Sequence, residues 1–112
     1  MARIDIHGGD FAKGLGWFYA DNGFVLRDKD GKPASIPLAR LEAADQASEA
    51  SLRIFGVSDS MRADFGDATA QAEPIGWRVF IAIFADGRLL LASTDQSTFN
   101  QTCGPSRPCS PL

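Results

Sequence analysis

Trp77-Arg78-Val79-Phe80-Ile81-Ala82-Ile83-Phe84, then Ala85-Asp86-Gly87-Arg88, then Leu89-Leu90-Leu91-Ala92, is the stretch that decides the fold class. Side chains alternate across a strand, so Val79, Ile81 and Ile83 face one way and Phe80, Ala82 and Phe84 the other. Both faces are apolar, which predicts a central strand covered on both sides. Asp86-Gly87 is a hairpin-turn pair, and Leu89 to Ala92 predicts the returning strand. A sheet with two covered faces needs further strands and a helical layer, and the rest of the chain must supply them.

The N-terminal third supplies strands. Arg3-Ile4-Asp5-Ile6-His7 alternates charged and apolar residues as a half-buried strand does, with His7 expected on an edge strand. Gly8-Gly9-Asp10 breaks it, and Gly14-Leu15-Gly16 is a second flexible point. Trp17 to Ala20 predicts a strand, Asp21-Asn22-Gly23 a tight turn, and Phe24 to Arg27 the return. Asp28 to Pro33 is another turn, after which Ser35 to Leu38 continues extended.

The pattern then changes. Leu38, Leu41, Ala44, Ala47 and Leu52 recur at roughly helical spacing among good helix formers, which predicts a helix over 40–53 ended by Gly56. Residues 57–76 have no clear period and predict an irregular loop, with one helical turn near Asp59 to Asp64. After the hairpin, Thr94 is expected to cap a short helix from Asp95 to Thr102. The tail from Cys103 is proline-rich and predicts no regular structure. The expected class is α+β: one domain over residues 1–102, an antiparallel sheet with a main helix and a short C-terminal helix, then a flexible tail over 103–112.

Composition narrows the function. The chain has 112 residues, 45% of them hydrophobic, with eight phenylalanines and a net charge of −3. Its isoelectric point near 4.9 argues against a binder of the nucleic-acid backbone and against a polybasic membrane segment. The first residues hold no apolar run, so no secretory signal is expected. Val79 to Phe84 falls far short of the roughly 20 apolar residues of a membrane span. The expected location is the cytoplasm, where Cys103 and Cys109 would be free thiols; a disulfide across the short loop between them is allowed but not needed.

No reactive constellation stands out. His7 is the only histidine, and neither zinc coordination nor a Cys–His nucleophile pair is assembled around it by spacing. Gly9 and Gly14 begin a phosphate-loop spacing, but Leu15 and Gly16 stand where Lys and Ser or Thr belong. Asp28 and Asp30 lack the spaced ligands of a calcium loop, and turn chemistry accounts for them. The expectation is no enzyme, no metal and no cofactor.

Gly8-Gly9-Asp10-Phe11, Lys13-Gly14, Ile36-Pro37-Leu38 and Asp86-Gly87-Arg88 occur in an order that resembles a family of small uncharacterised bacterial proteins. The resemblance covers about residues 3–56 and 77–101. It implies a curved sheet closed by a helix, PH-like by analogy, and no activity. Many members carry a Gly/Ala/Leu-rich hydrophobic segment before the final hairpin. Here Ser58 to Asp67 stands in that place, so a membrane or self-assembly role tied to that segment is not expected.

The informative charge is central. Glu42, Asp45, Glu49, Asp59, Asp64, Asp67 and Glu73 face only Arg40, Arg53 and Arg62 within residues 39–73, so all the net negative charge lies there. On the expected helix Glu42, Asp45 and Glu49 would share a face. These seven carboxylates are the expected partner-binding residues, and the partner would be a protein with a basic surface. The sharpest form is a phage or mobile-element inhibitor of a nucleic-acid-handling defence complex, anti-CRISPR-like, with no direct nucleic-acid or membrane contact. The alternative is an accessory domain holding a small ligand or lipid headgroup in its curved sheet, near Trp17, Phe18, Tyr19 and Trp77. Homodimerisation stays open.

Overall fold

The computed structural model describes residues 2–20, 22–70, 75–102 and 109–110. Among these residues eight strands form one curved sheet of half-barrel shape. They are β1 (Ala2–Gly9), β2 (Gly14–Tyr19), β3 (Gly23–Arg27), β4 (Pro33–Ile36), β5 (Leu41–Gln46), β6 (Trp77–Phe84), β7 (Leu89–Asp95) and β8 (Cys109–Ser110). Their order is β4-β3-β2-β1-β7-β6-β5-β8. The first seven are antiparallel to their neighbours, and β8 pairs in parallel with β5. Three helices accompany them: α1 (Glu49–Phe55), α2 (Asp59–Ala70) and α3 (Gln96–Thr102). The α+β class with a curved antiparallel sheet is therefore observed.

The β6–β7 hairpin lies at the heart of the sheet, with both faces covered as its apolar alternation requires. On the inner face, Phe84 meets Phe11 and Phe24 edge-on, with ring centroids 5.8 and 5.6 Å apart. Phe18 sits 5.2 Å from Phe24, and Phe99 of α3 sits 5.9 Å from Phe80. Such pairs add about 0.5–1.5 kcal/mol each beyond area burial. On the outer face, Leu52 of α1 and Met61 of α2 pack with Ile81 and Leu91, flanked by Val79, Phe55 and Phe65.

The helix expected over 40–53 is the main correction. Leu41 to Gln46 is strand β5, paired with β6 from Leu41↔Phe84 to Gln46↔Phe80. The open edge of β6 rewards pairing with more than the few tenths of a kcal/mol per residue that helix propensity offers. The helix starts later, at Glu49. Ser48 accepts a hydrogen bond from the Ser51 N–H at 3.1 Å, and Ser51 Oγ accepts one from the Ser48 N–H at 2.8 Å. This reciprocal box satisfies two donors at the helix start. Gly56, at φ 66°, closes the helix in the left-handed conformation, as expected of that glycine.

Four smaller expectations also change. Residues 59–70, expected as loop beyond one turn, form the twelve-residue helix α2. Thr94 belongs to β7, where its hydroxyl donates to the Arg3 carbonyl; Asp95 caps α3 instead, accepting from the Thr98 N–H at 2.7 Å. His7 is not on an edge, because β1 lies between β2 and β7. The tail holds β8, since Cys109 and Ser110 keep the N–H groups that the flanking prolines lack. Residues 103–108 and 111–112, including Cys103, lie outside the described residues, and with them the thiol state expected for the cysteine pair.

Candidate functional site

The Gly8-Gly9-Asp10-Phe11-Ala12-Lys13-Gly14 stretch builds a corner on which three parts of the fold meet. A bulge interrupts the β1–β7 register between Ile6 and Gly8, which re-aims His7. His7 Nε2 then lies 2.8 Å from Ser93 Oγ. Ser93 has no exposed surface, and the pair ties β1 to β7. The Asp10 N–H donates to the Leu89 carbonyl at 2.8 Å, and its carboxylate accepts from the Leu89 N–H at 2.8 Å. Phe11 enters the inner core, and Lys13 reaches Asp64 of α2 at 2.8 Å. A Cβ at Gly8 would fall onto the Asp64 carboxylate, so the absence of a side chain there lets α2 approach. The motif is thereby accounted for by architecture.

Between α2 and the β1–β2 corner lies a cleft of about 450 Å³ lined by Asp5, His7, Lys13, Asp64 and Asp67 among others. The Asp64 carboxylate raises the Lys13 pKa above its ordinary value by hydrogen bonding and charge, with Asp67 adding to it. A second cleft, of about 360 Å³, opens between the end of β4 and the β6–β7 turn and holds Arg40, Asp86 and Arg88.

The structure disperses the six central carboxylates that lie among the described residues. Glu42 is exposed on β5, and Asp45, on the same strand, is buried. They do not share a helix face with Glu49, because the chain is a strand until Gln46. Glu49, exposed on α1, lies 3.6 Å from Arg62 of α2. Asp59 and Asp67 are exposed on α2, whereas Asp64 is turned inward and paired with Lys13. Glu73 lies outside the described residues. The outward acidic set thus reduces to Glu42, Glu49, Asp59 and Asp67. Ile54 of α1, 76% exposed, stands on the same helical layer.

Asp45 is the unexpected member. It is 5% exposed, and its Oδ1 has no hydrogen-bond partner. Burial pushes its carboxyl above the usual carboxylate range, against a lowering contribution from the Gln46 backbone. The folded state therefore holds this proton more tightly than the unfolded chain does. Stability is lost as pH rises above the unfolded value of 3.8 and through the folded titration, and it is regained on acidification. Asp45→Asn is expected to stabilise the protein by about 1 kcal/mol at pH 7. That gain should shrink as the pH approaches 4. Urea denaturation at the two pH values checks this, and a gain independent of pH would contradict it.

Of the four aromatic residues of the ligand alternative, Phe18 points to the inner face, and Arg3, registered opposite Trp17, reaches Trp77. Phe18 is buried in the inner core, Trp17 lines a groove on β2 and β3 with Val25 and Pro33, and Trp77 lies under the Arg3 guanidinium at 4.9 Å. Among the described residues no group of three or more His, Cys, Asp or Glu side chains gathers to hold a metal. No helix among them is long and apolar enough to cross a membrane.

Comparison of the chain with protein-family models, with curated proteins and with solved structures finds no match. The Arg40–Arg88 cleft was missed by sequence reasoning because the two residues are far apart in the chain. The only local signal was Arg88 beside the Asp86-Gly87 turn.

Proposed function

We propose that this protein is a non-enzymatic binding module that captures a protein partner with a basic surface through the outer layer formed by α1 and α2. The observation that carries this reading is that α1 and α2 expose Glu49, Asp59 and Asp67 against Arg53 and Arg62, with Ile54 also exposed on α1. Carboxylates of this kind attract and orient a basic partner, and an apolar residue among them supplies contact area once the two surfaces meet. Asp45 and Asp64 take no part in the proposed face, because Asp45 is buried and the Asp64 side chain is 14% exposed and held by Lys13, whereas Glu49 stays open to solvent although Arg62 lies 3.6 Å away. The inner face of the sheet is filled by phenylalanines, which favours the outer layer over a ligand inside the curve. In its sharper form the partner is a nucleic-acid-handling defence complex whose basic channel the acidic layer occupies, as an anti-CRISPR-like inhibitor would.

The test is capture from the native host with the wild-type chain and with a Glu49→Lys, Asp59→Lys, Asp67→Lys variant, quantified by mass spectrometry at low and moderate salt. The wild type is expected to enrich a basic partner at least tenfold over the variant, with enrichment falling as salt rises. Equal capture by both proteins removes the acidic-face reading. A captured complex that handles nucleic acid supports the sharper form.

A further inference from the structure

The cleft between β4 and the β6–β7 turn has the opposite charge logic to the helical layer. It is lined by Ile36, Pro37, Phe84 and Ala85 together with Arg40, Asp86 and Arg88, and of the four apolar residues Pro37 and Ala85 are exposed. The Ala85 N–H donates to the Arg40 carbonyl at 2.8 Å, which fixes the backbone of Arg40 against the hairpin. Arg88 is held in three ways. Its N–H meets Asp86 Oδ1 at 3.0 Å, its Nε meets Asp86 Oδ2 at 2.7 Å, and its guanidinium lies 5.0 Å from the centre of the Phe11 ring. Both oxygens of Asp86 are therefore used by one arginine.

Arg40 has no side-chain hydrogen bond or ion pair among the described residues, and the cleft keeps one guanidinium in excess of its carboxylate. An excess cation beside an apolar wall, in a chain of net charge −3, suits a ligand that brings both a negative head and an apolar body. Arg88 is already ordered by Asp86 and Phe11, so little freedom is lost when its remaining N–H groups engage an anion.

We infer that this cleft binds the oxyanion head of a small organic anion, with Arg40 and Arg88 as its donors and the exposed Pro37 and Ala85 against its apolar body. The site is separate from the acidic layer of α1 and α2 and stands whether or not that layer binds a protein.

The test is a titration of the full chain with sodium benzoate, sodium acetate and inorganic phosphate at constant ionic strength, with sodium chloride as the reference. The readouts are the NMR signals of the Arg40 and Arg88 side-chain N–H groups and the Ala85 and Arg88 amides. Saturable shifts confined to these groups are expected, with dissociation constants on the order of 1 mM for such small ions. Arg40→Ala, at an exposed position, should weaken binding about tenfold, and Arg88→Lys should weaken it despite keeping the charge. Benzoate saturating before acetate and phosphate assigns an organic carboxylate. Phosphate saturating first shows that an apolar body adds nothing and overturns the organic-anion assignment. The Glu49→Lys, Asp59→Lys, Asp67→Lys variant should titrate like the wild type, which keeps this result independent of the partner experiment. Shifts that stay linear, that chloride reproduces, or that Arg40→Ala leaves unchanged overturn the inference.

Discussion

Gly9→Ala is expected to lower the thermal midpoint by about 10–20 °C, the consequence of a loss near 3 kcal/mol in a domain of this size. Two costs add. Gly9 sits at φ 94°, which an L side chain adopts at a cost of about 1–2 kcal/mol. A Cβ there would also lie 2.3 Å from the Leu89 carbonyl oxygen and 2.9 Å from its carbon. Neither atom can swing aside, because the two Asp10–Leu89 hydrogen bonds hold that backbone. Gly87→Ala is the internal control. Its φ of 89° carries the same conformational cost, but nothing lies within 4 Å of the added atom, so only that cost of about 1–2 kcal/mol is expected. Calorimetry on the two variants separates the clash from the strain. Equal losses would mean that the close approach to Leu89 contributes nothing.

Phe84→Ala should be costlier still, at about 3–5 kcal/mol. Phe84 is 1% exposed and joins two parts of the inner core, since it meets Phe11 from the β1–β2 corner and Phe24 from β3. Its removal leaves a cavity where the hairpin, the corner and the meander converge. Whole-domain stabilities are about 5–15 kcal/mol, so the variant is expected to unfold measurably near physiological temperature. Phe84→Leu keeps most of the volume and should cost less than half as much. Urea midpoints check both values, and a loss below about 1 kcal/mol in Phe84→Ala would contradict the central place given to this ring.

The difference between what the sequence discloses and what it hides follows from how local each signal is. The hairpin from Trp77 to Ala92 was legible because a period of two and an Asp-Gly turn act within a few residues. The same holds for the Asn22-Gly23 turn, the Asp28 turn, whose Oδ1 accepts from the Asp30 and Lys32 N–H groups, and the Gly56 stop. Leu41-Glu42-Ala43-Ala44-Asp45-Gln46 misleads because its residues favour a helix in isolation. Pairing with β6, which lies some forty residues later, overrides them. Helix α2 was read only as a turn near Asp59 to Asp64 because Gly66 and several small polar residues blur its pattern. Met61, Phe65 and Ala68, at spacings of four and three, were the available signal, and all three face the sheet.

The candidate site was legible only as a list of charges. The sequence placed the acids in the middle of the chain, but Asp45 and Asp64 became inward groups through contacts across the sheet. The Arg40–Arg88 cleft has the same origin, since it exists only where the end of β4 comes to face the β6–β7 turn.

The position of β1 between β2 and β7 has a consequence for how the protein comes into being. Asp5 is registered against Ser93, so β1 can complete its pairing only after the chain has been made through β7. The β1–β4 meander emerges early and must wait on the ribosome with one edge of β1 uncovered. A topology with such distant pairing folds slowly for its size, on the millisecond-to-second scale typical of sheets with non-local contacts. During that interval the apolar side chains of β1 and β2 are open to other chains, and the late arrival of β7 ends the exposure.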